Sequence, residues 1–123
     1  MAEFGFPKNS RLQTAADYKA VFDHTQHSVS CRHFLMLAVT NNAESRRLGL
    51  VIAKKNVNKA VQRNRLKRQI RESFRTGCVG LGAIDVVVLA RRDADKLSNA
   101  QVANKLNSLW QDLESKVFAA GKR

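Results

Sequence analysis

AVQRNRLKRQIRESFR, Ala60 to Arg75, reads as one helix in which Leu66, Ile70 and Phe74 recur every four residues, while six cations and one carboxylate fill much of the rest. At 100° per residue those three apolar side chains make a narrow stripe. It is wide enough to dock the helix on a sheet and too narrow to bury it on all sides. The fold must therefore leave one side of this helix open, and that side is basic.

Arg63, Lys67, Arg71 and Arg75 form a ridge at i+4 spacing, with Asn64, Arg65 and Arg68 in the next rows. Glu72 is the single internal counter-charge, placed for Arg68. Like charges at i+4 each cost a few tenths of a kcal/mol, and Lys54, Lys55 and Lys59 add to the same field. A solvated charged face usually mixes Glu with Lys, whereas Lys54 to Arg75 holds nine cations and one anion. Such a run points to a polyanionic partner. Arginine outnumbers lysine five to one between Arg63 and Arg75, and a guanidinium can grip phosphate bidentately or stack on a base. Asn64 adds a neutral donor and acceptor for a sugar or base edge.

Composition supports that reading. The 123 residues suit one domain, 1–123, with a net charge of +12, a pI near 10.6 and 44% hydrophobic residues. A chain of this size buries roughly two-thirds of its surface on folding. No apolar run approaches the roughly 20 residues needed to span a bilayer, and the basic helix lacks the bulky face of an interfacial anchor. Nucleic acid is preferred over membrane. Cys31 and Cys78 match neither a zinc nor a CxxC spacing, and MAEFGFPKNSR does not resemble a signal peptide. Both thiols are expected reduced, in a cytoplasmic protein.

Upstream, an extended segment 1–13 leads to a helix at Ala15–Asp23, opened by a Thr14/Asp17 capping box, with Tyr18 and Phe22 one turn apart. HFLMLAV predicts a central strand with Phe34, Met36 and Ala38 on one face and Leu35, Leu37 and Val39 on the other. LGLVIA follows across a polar connection, so these two strands are expected to form a hairpin. Downstream, Gly77 is placed to stop the basic helix. Ile84–Ala90 is the next strand. A Ser98/Gln101 capping box then opens an amphipathic helix over 98–118, its stripe being Val102, Leu106, Leu109, Leu113 and Val117. The order of elements predicts a single α+β layer structure, a sheet covered by helices.

Catalytic groups are not assembled in the sequence. His24, His27 and His33 have no ligand spacing to a carboxylate cluster, and the carboxylates are scattered, Asp93 and Asp95 being the closest pair of aspartates. Those two are expected to begin the final helix, near its positive end. Asp85, inside a strand, is expected at a sheet edge or beside a cation, with no catalytic role.

RLGLVIAKKNVNKAVQRNRLKRQIRESFR resembles the signature of the bacterial ribonuclease P protein subunit, and FPKNSRL, DYKAVF, RHFLMLAV and DVVVLARR follow in that family's order and spacing. The resemblance implies an α/β sandwich ordered about αβββαβα, with a mixed sheet. It also implies a left-handed βαβ crossover, against the hand that about 98% of such units adopt. In function it implies a partner of a large catalytic RNA that removes the 5′ leader from precursor tRNA. Mg²⁺ would act through the RNA and substrate, and no protein partner would be required. Carried over by position, Arg63, Asn64, Arg65, Lys67, Arg68, Arg71 and Arg75 would contact the RNA subunit. Tyr18 and Phe22 fall where the family has aromatic residues in a cleft for the leader, where stacking is worth about 1–3 kcal/mol per base. Phe34 and Met36 would floor that cleft, with Arg32, Lys54 and Lys55 on leader phosphates. Core packing of a short helix is the competing account of Tyr18 and Phe22. A ribosomal or RNA-chaperone protein is the competing function. A duplex-DNA reader is disfavoured by the lack of a dimerisation heptad or helix-turn-helix partner.

Overall fold

The computed structural model describes residues 11–41, 46–77 and 81–121. Helix α1 (Ala15–His24) leads to strands β1 (His27–Ser30), β2 (Phe34–Thr40) and β3 (Arg47–Val51). Helix α2 (Ala60–Gly77), strand β4 (Ile84–Ala90), a short 3₁₀ turn (Ala94–Lys96) and helix α3 (Asn99–Gly121) follow. The four strands lie in the order β1-β2-β4-β3.

The hairpin expected between β2 and β3 does not form. β4 lies between them, antiparallel to β2 (Leu37 opposite Val87) and parallel to β3 (Gly49 opposite Val87). The hairpin partner of β2 is β1, a short strand with one buried residue, Val29, whose HSVS sequence carries too little apolar alternation to stand out. VVV in β4 is the apolar run of a strand covered on both faces, and all its residues but Leu89 are buried. The centre of the sheet therefore belongs to β4, reached from β3 through α2 in the parallel connection the family resemblance implies.

Strand alternation sorts the core into two unequal halves. Phe34, Met36, Ala38, Leu48, Val86 and Val88 point to one face and pack with Leu66, Ile70 and Phe74 of α2 and Val102, Leu106, Leu109, Trp110 and Leu113 of α3. Leu12, Val21 and Val87 form a small second cluster beneath α1, with Tyr18, Leu37, Val39, Val51 and Leu89 only partly covered. One face thus has two helices, the other has one, and part of the second stays open.

Local chemistry ends the elements. The Thr14 hydroxyl accepts from Asp17 N at 3.1 Å while the Asp17 carboxylate accepts from Thr14 N at 3.2 Å, the reciprocal box read from the sequence. Ser98 and Gln101 cap α3 in the same way. Gly77 remains within α2, so it is not the left-handed stop, and among the described glycines the positive φ falls on Gly82 (73°). Asp93 and Asp95 flank and enter the 3₁₀ turn instead of opening α3; Asp93, at φ 70°, occupies the left-handed region that Asp tolerates better than most residues. Cys31 is free and half-buried, while Cys78 and most of the 1–13 segment lie outside the described residues.

Candidate nucleic-acid interface

The basic residues of α2 do not share one environment. Asn64, Arg68 and Arg75 are exposed along the outer side of the helix. Lys67 and Arg71 turn toward β3, where with Arg11, Leu12, Tyr18, Leu48 and Leu50 they line a groove of about 220 Å³. Arg63 bends back to the loop before the helix, Nη1 donating to the carbonyls of Val57 (3.0 Å) and Asn58 (2.8 Å).

Arg65 departs furthest from the expected role. Its Nε donates to Gln62 Oε1 (2.8 Å), Nη1 to Gln69 Oε1 (3.2 Å) and Asn99 Oδ1 (2.7 Å), and Nη2 to the carbonyls of Asp95 (3.1 Å) and Leu97 (3.2 Å). A guanidinium carries five N–H donors, and all are directed into this chain. Nothing in the i+4 spacing separates it from Arg68. Besides Gln62 and Gln69 on α2 itself, the partners sit some 30 residues away, from the 3₁₀ turn to the start of α3.

Glu72 pairs with Arg75, not with Arg68 as its spacing suggested. The contact holds the Glu72 carboxyl below the usual carboxylate range. Arg68 therefore keeps its charge unopposed by Glu72.

The aromatic pair separates too. The Tyr18 hydroxyl meets the open edge of β3, accepting from Leu50 N at 3.0 Å and donating to Leu50 O at 3.5 Å. Leu12 N donates to Leu48 O on the same edge, so backbone groups that would invite another strand are taken. Gly49 makes this possible: a Cβ there would stand 2.8 Å from Tyr18 Cε2 and 2.9 Å from Leu12 Cδ1. Tyr18 is half-buried with its ring against the groove, and Phe22, one turn on, is exposed. Core packing accounts for part of Tyr18 and not for Phe22.

Phe34 and Met36 are corrections. Both have no exposed surface and lie on the α2/α3 face, so they floor no cleft on the α1 side. That floor is the opposite alternation of the same strand, Leu35 and Leu37, with Leu89 and Val51 beside Leu35 in register. The strand pattern could not say which face was open. Arg32, in the β1–β2 turn, and Lys54 and Lys55, just beyond β3, are exposed at the end of the sheet where that row lies.

The buried carboxylate among the described residues is paired. Asp85, in the interior strand β4 and not at an edge, accepts from Arg47 Nε (2.8 Å) and Nη2 (2.7 Å) and from Asn41 Nδ2 (2.6 Å). The carboxylate raises the Arg47 pKa. Asp23 and Asp93 pair with Lys19 and Lys96. Among the described residues no three His, Cys, Asp or Glu side chains stand together as a metal site, and no helix is long and apolar enough to cross a membrane.

These features define a small α+β protein built to bind a polyanion, with one arginine-rich helix flanked by a groove. The comparisons with known proteins give the particular case. A family model described as Ribonuclease P matches residues 6–114. The ribonuclease P protein component of Chromohalobacter salexigens is 47% identical over 117 residues, 95% of this chain and 91% of that one. The Staphylococcus aureus RNase P protein structure has a TM-score of 0.78 at 33% identity, covering 89% of this chain and 97% of that one. The RNase P protein from Thermotoga maritima has a TM-score of 0.68 at 31% identity, covering 82% and 96%. The chain belongs to the ribonuclease P protein family, and its role is that of the protein subunit of this tRNA-processing endoribonuclease.

Proposed function

We propose that α2 serves two nucleic-acid strands at once. The outer row, Asn64, Arg68 and Arg75 with the remaining donors of Arg63, contacts the catalytic RNA subunit. Lys67 and Arg71 face the groove beside Tyr18, and together with the open floor of Leu35, Leu37, Val51 and Leu89 they receive the single-stranded leader of precursor tRNA. Phe22 offers an exposed ring for stacking at the rim, and Arg32, Lys54 and Lys55 neutralise leader phosphates at the end of the sheet. The observation that carries this reading is the division of the α2 cations between an outward row and a groove-lining row.

The described residues do not fit a divalent-ion site held by this chain: no three His, Cys, Asp or Glu side chains stand together among them, and Asp23, Glu72, Asp85 and Asp93 are paired with cations. Mg²⁺ is assigned to the RNA subunit and substrate, where phosphate oxygens supply hard ligands, and the holoenzyme to the cytoplasm. The chain's contribution is positive charge and stacking surface, which lower the counter-ion concentration needed to bring two RNAs together.

Cleavage of precursor tRNA by a bacterial ribonuclease P RNA at low Mg²⁺ tests this. The wild-type chain is expected to restore cleavage. Arg68→Ala should raise the protein concentration required, and Phe22→Ala should weaken precursor binding without altering binding of mature tRNA. A folded wild-type chain that leaves the Mg²⁺ requirement unchanged would overturn the proposal.

A further inference from the structure

We propose that Arg65, in the middle of the basic helix, is a positioning residue: it sets the rotation of α2 against α3 so that its neighbours Asn64 and Arg68 point outward, and it contacts no phosphate itself. The inference rests on the reading of α2 as the RNA-binding helix.

Its first support is donor accounting. All five guanidinium N–H groups are engaged by Gln62, Gln69, Asn99 and the carbonyls of Asp95 and Leu97, so a phosphate would have to break a bond already made within the protein. The second is where those bonds lead. The Asp95 and Leu97 carbonyls belong to the 3₁₀ turn and its exit, and Asn99 is the first residue of α3. Gln69, one turn beyond Arg65, reinforces the tie by donating to Asn99 O at 3.1 Å. The third is the weakness of the alternative restraint: a stripe of three buried side chains, Leu66, Ile70 and Phe74, resists sliding off the sheet better than rolling on it. A planar fork anchored on another element opposes rolling, which a lysine, with its single rotating ammonium, cannot do equally.

A clamp and a phosphate contact differ in salt dependence. Losing one phosphate contact lowers the slope of log affinity against log salt by about one, whereas misplacing neighbouring contacts weakens binding without changing how many counter-ions are released. The experiment is titration of the catalytic RNA subunit with the wild-type chain, Arg65→Met, Gln69→Leu/Asn99→Ala and Arg68→Ala over a range of salt. Circular dichroism at the assay temperature confirms the folded state. Arg65→Met and the Gln69/Asn99 double variant are each expected to lose about tenfold in affinity, equivalent to about 1.4 kcal/mol, at the wild-type slope. Arg68→Ala should lose slope. A slope decrease in Arg65→Met would make Arg65 a direct contact, and unchanged affinity in the folded double variant would reduce the network to stability alone; either result overturns the proposal. If Arg65→Met does not fold, the double variant, which keeps the arginine and removes three of the bonds around it, decides the matter. Failure of Arg68→Ala to change affinity or slope would instead count against the assignment of the outer row.

Discussion

Helices α2 and α3 lie side by side on the same face of one sheet and are held there by opposite means. α3 buries Val102, Leu106, Leu109, Trp110 and Leu113, and shows solvent a surface of balanced charge, Lys105 and Lys116 against Asp112 and Glu114, among polar residues such as Asn104, Asn107, Ser108, Gln111 and Ser115. α2 buries only Leu66, Ile70 and Phe74 and compensates with polar brackets. Arg63 ties its first turn to Val57 and Asn58, Arg65 its middle to the start of α3, and Arg46 its last turn by donating to the carbonyls of Phe74 and Arg75. The last bracket also places a cation at the negative end of the helix. A helix that leaves most of its circumference uncovered has little apolar surface to bury, so hydrogen bonds from arginines restrain it. Apolar burial is concentrated on α3, and the proposed function places binding on α2.

The sharpest way to break this division is Trp110→Ala. The ring stands 5.7 Å from Phe74 centroid to centroid and its Nε1 donates to Ser73 Oγ, so the substitution opens a cavity between the helices and orphans a hydroxyl. A loss of about 3–5 kcal/mol is expected, a large share of the roughly 5–15 kcal/mol that typical domains possess, read from the midpoint and slope of urea unfolding. RNA affinity, measured on the folded fraction, should stay near wild type. Weakened RNA binding at full stability would show that α3 takes part in binding.

Arg68→Ala is the converse. The side chain is exposed and has no counter-charge at Glu72, so stability should move by no more than about 0.5 kcal/mol while the salt slope for RNA binding falls by about one. Thermal melts beside filter-binding titrations separate the two effects. Glu72→Gln should act in the opposite sense and more weakly, releasing Arg75 for phosphate and raising RNA affinity at low salt. The gain should vanish at high salt, where exposed charges are screened.

How much of this was legible beforehand depends on the range of the interaction. The stripe of α2, both capping boxes, the bounds of β4 and the long helix α3 are set within one or two turns of chain, and the sequence shows them directly. The place of β4 between β2 and β3 depends on a pairing across some 50 residues, and proximity along the chain suggested the wrong hairpin. The floor of the cleft turned on which face of β2 a third helix left uncovered. Phe34 and Leu35 were equally eligible until α3 was placed. Arg65 and Arg68 look alike in sequence because what separates them, the Asp95–Asn99 segment, is a tertiary neighbour. Asp85 shows the same limit, since its partners Arg47 and Asn41 come from other segments.

The smallest expected effect lies at the far side of α3, where His33 packs in the turn between β1 and β2 with Nδ1 buried and unpartnered among the described residues. Burial first, then the cations Lys105 on α3 and Arg32 beside it, hold its pKa below the usual histidine range, against a smaller opposing pull from Asp93. Near pH 7.5 the imidazole is neutral folded and unfolded, and the site contributes nothing to the pH dependence. As pH falls through the ordinary histidine value, near 6.5, the unfolded chain takes up a proton that the folded chain resists, so stability must decrease. The decline stops once pH drops below the folded pKa, where both states are protonated. Melting temperatures at pH 7.5 and 5.5 should therefore differ more for the wild type than for His33→Gln, with the wild type less stable at the lower pH. The basic groups that depress this pKa lie on α3 and the β1–β2 turn and not on α2, so Arg68→Ala should leave the difference unchanged. A shift in Arg68→Ala would show that the charge on α2 reaches across to the stabilising helix.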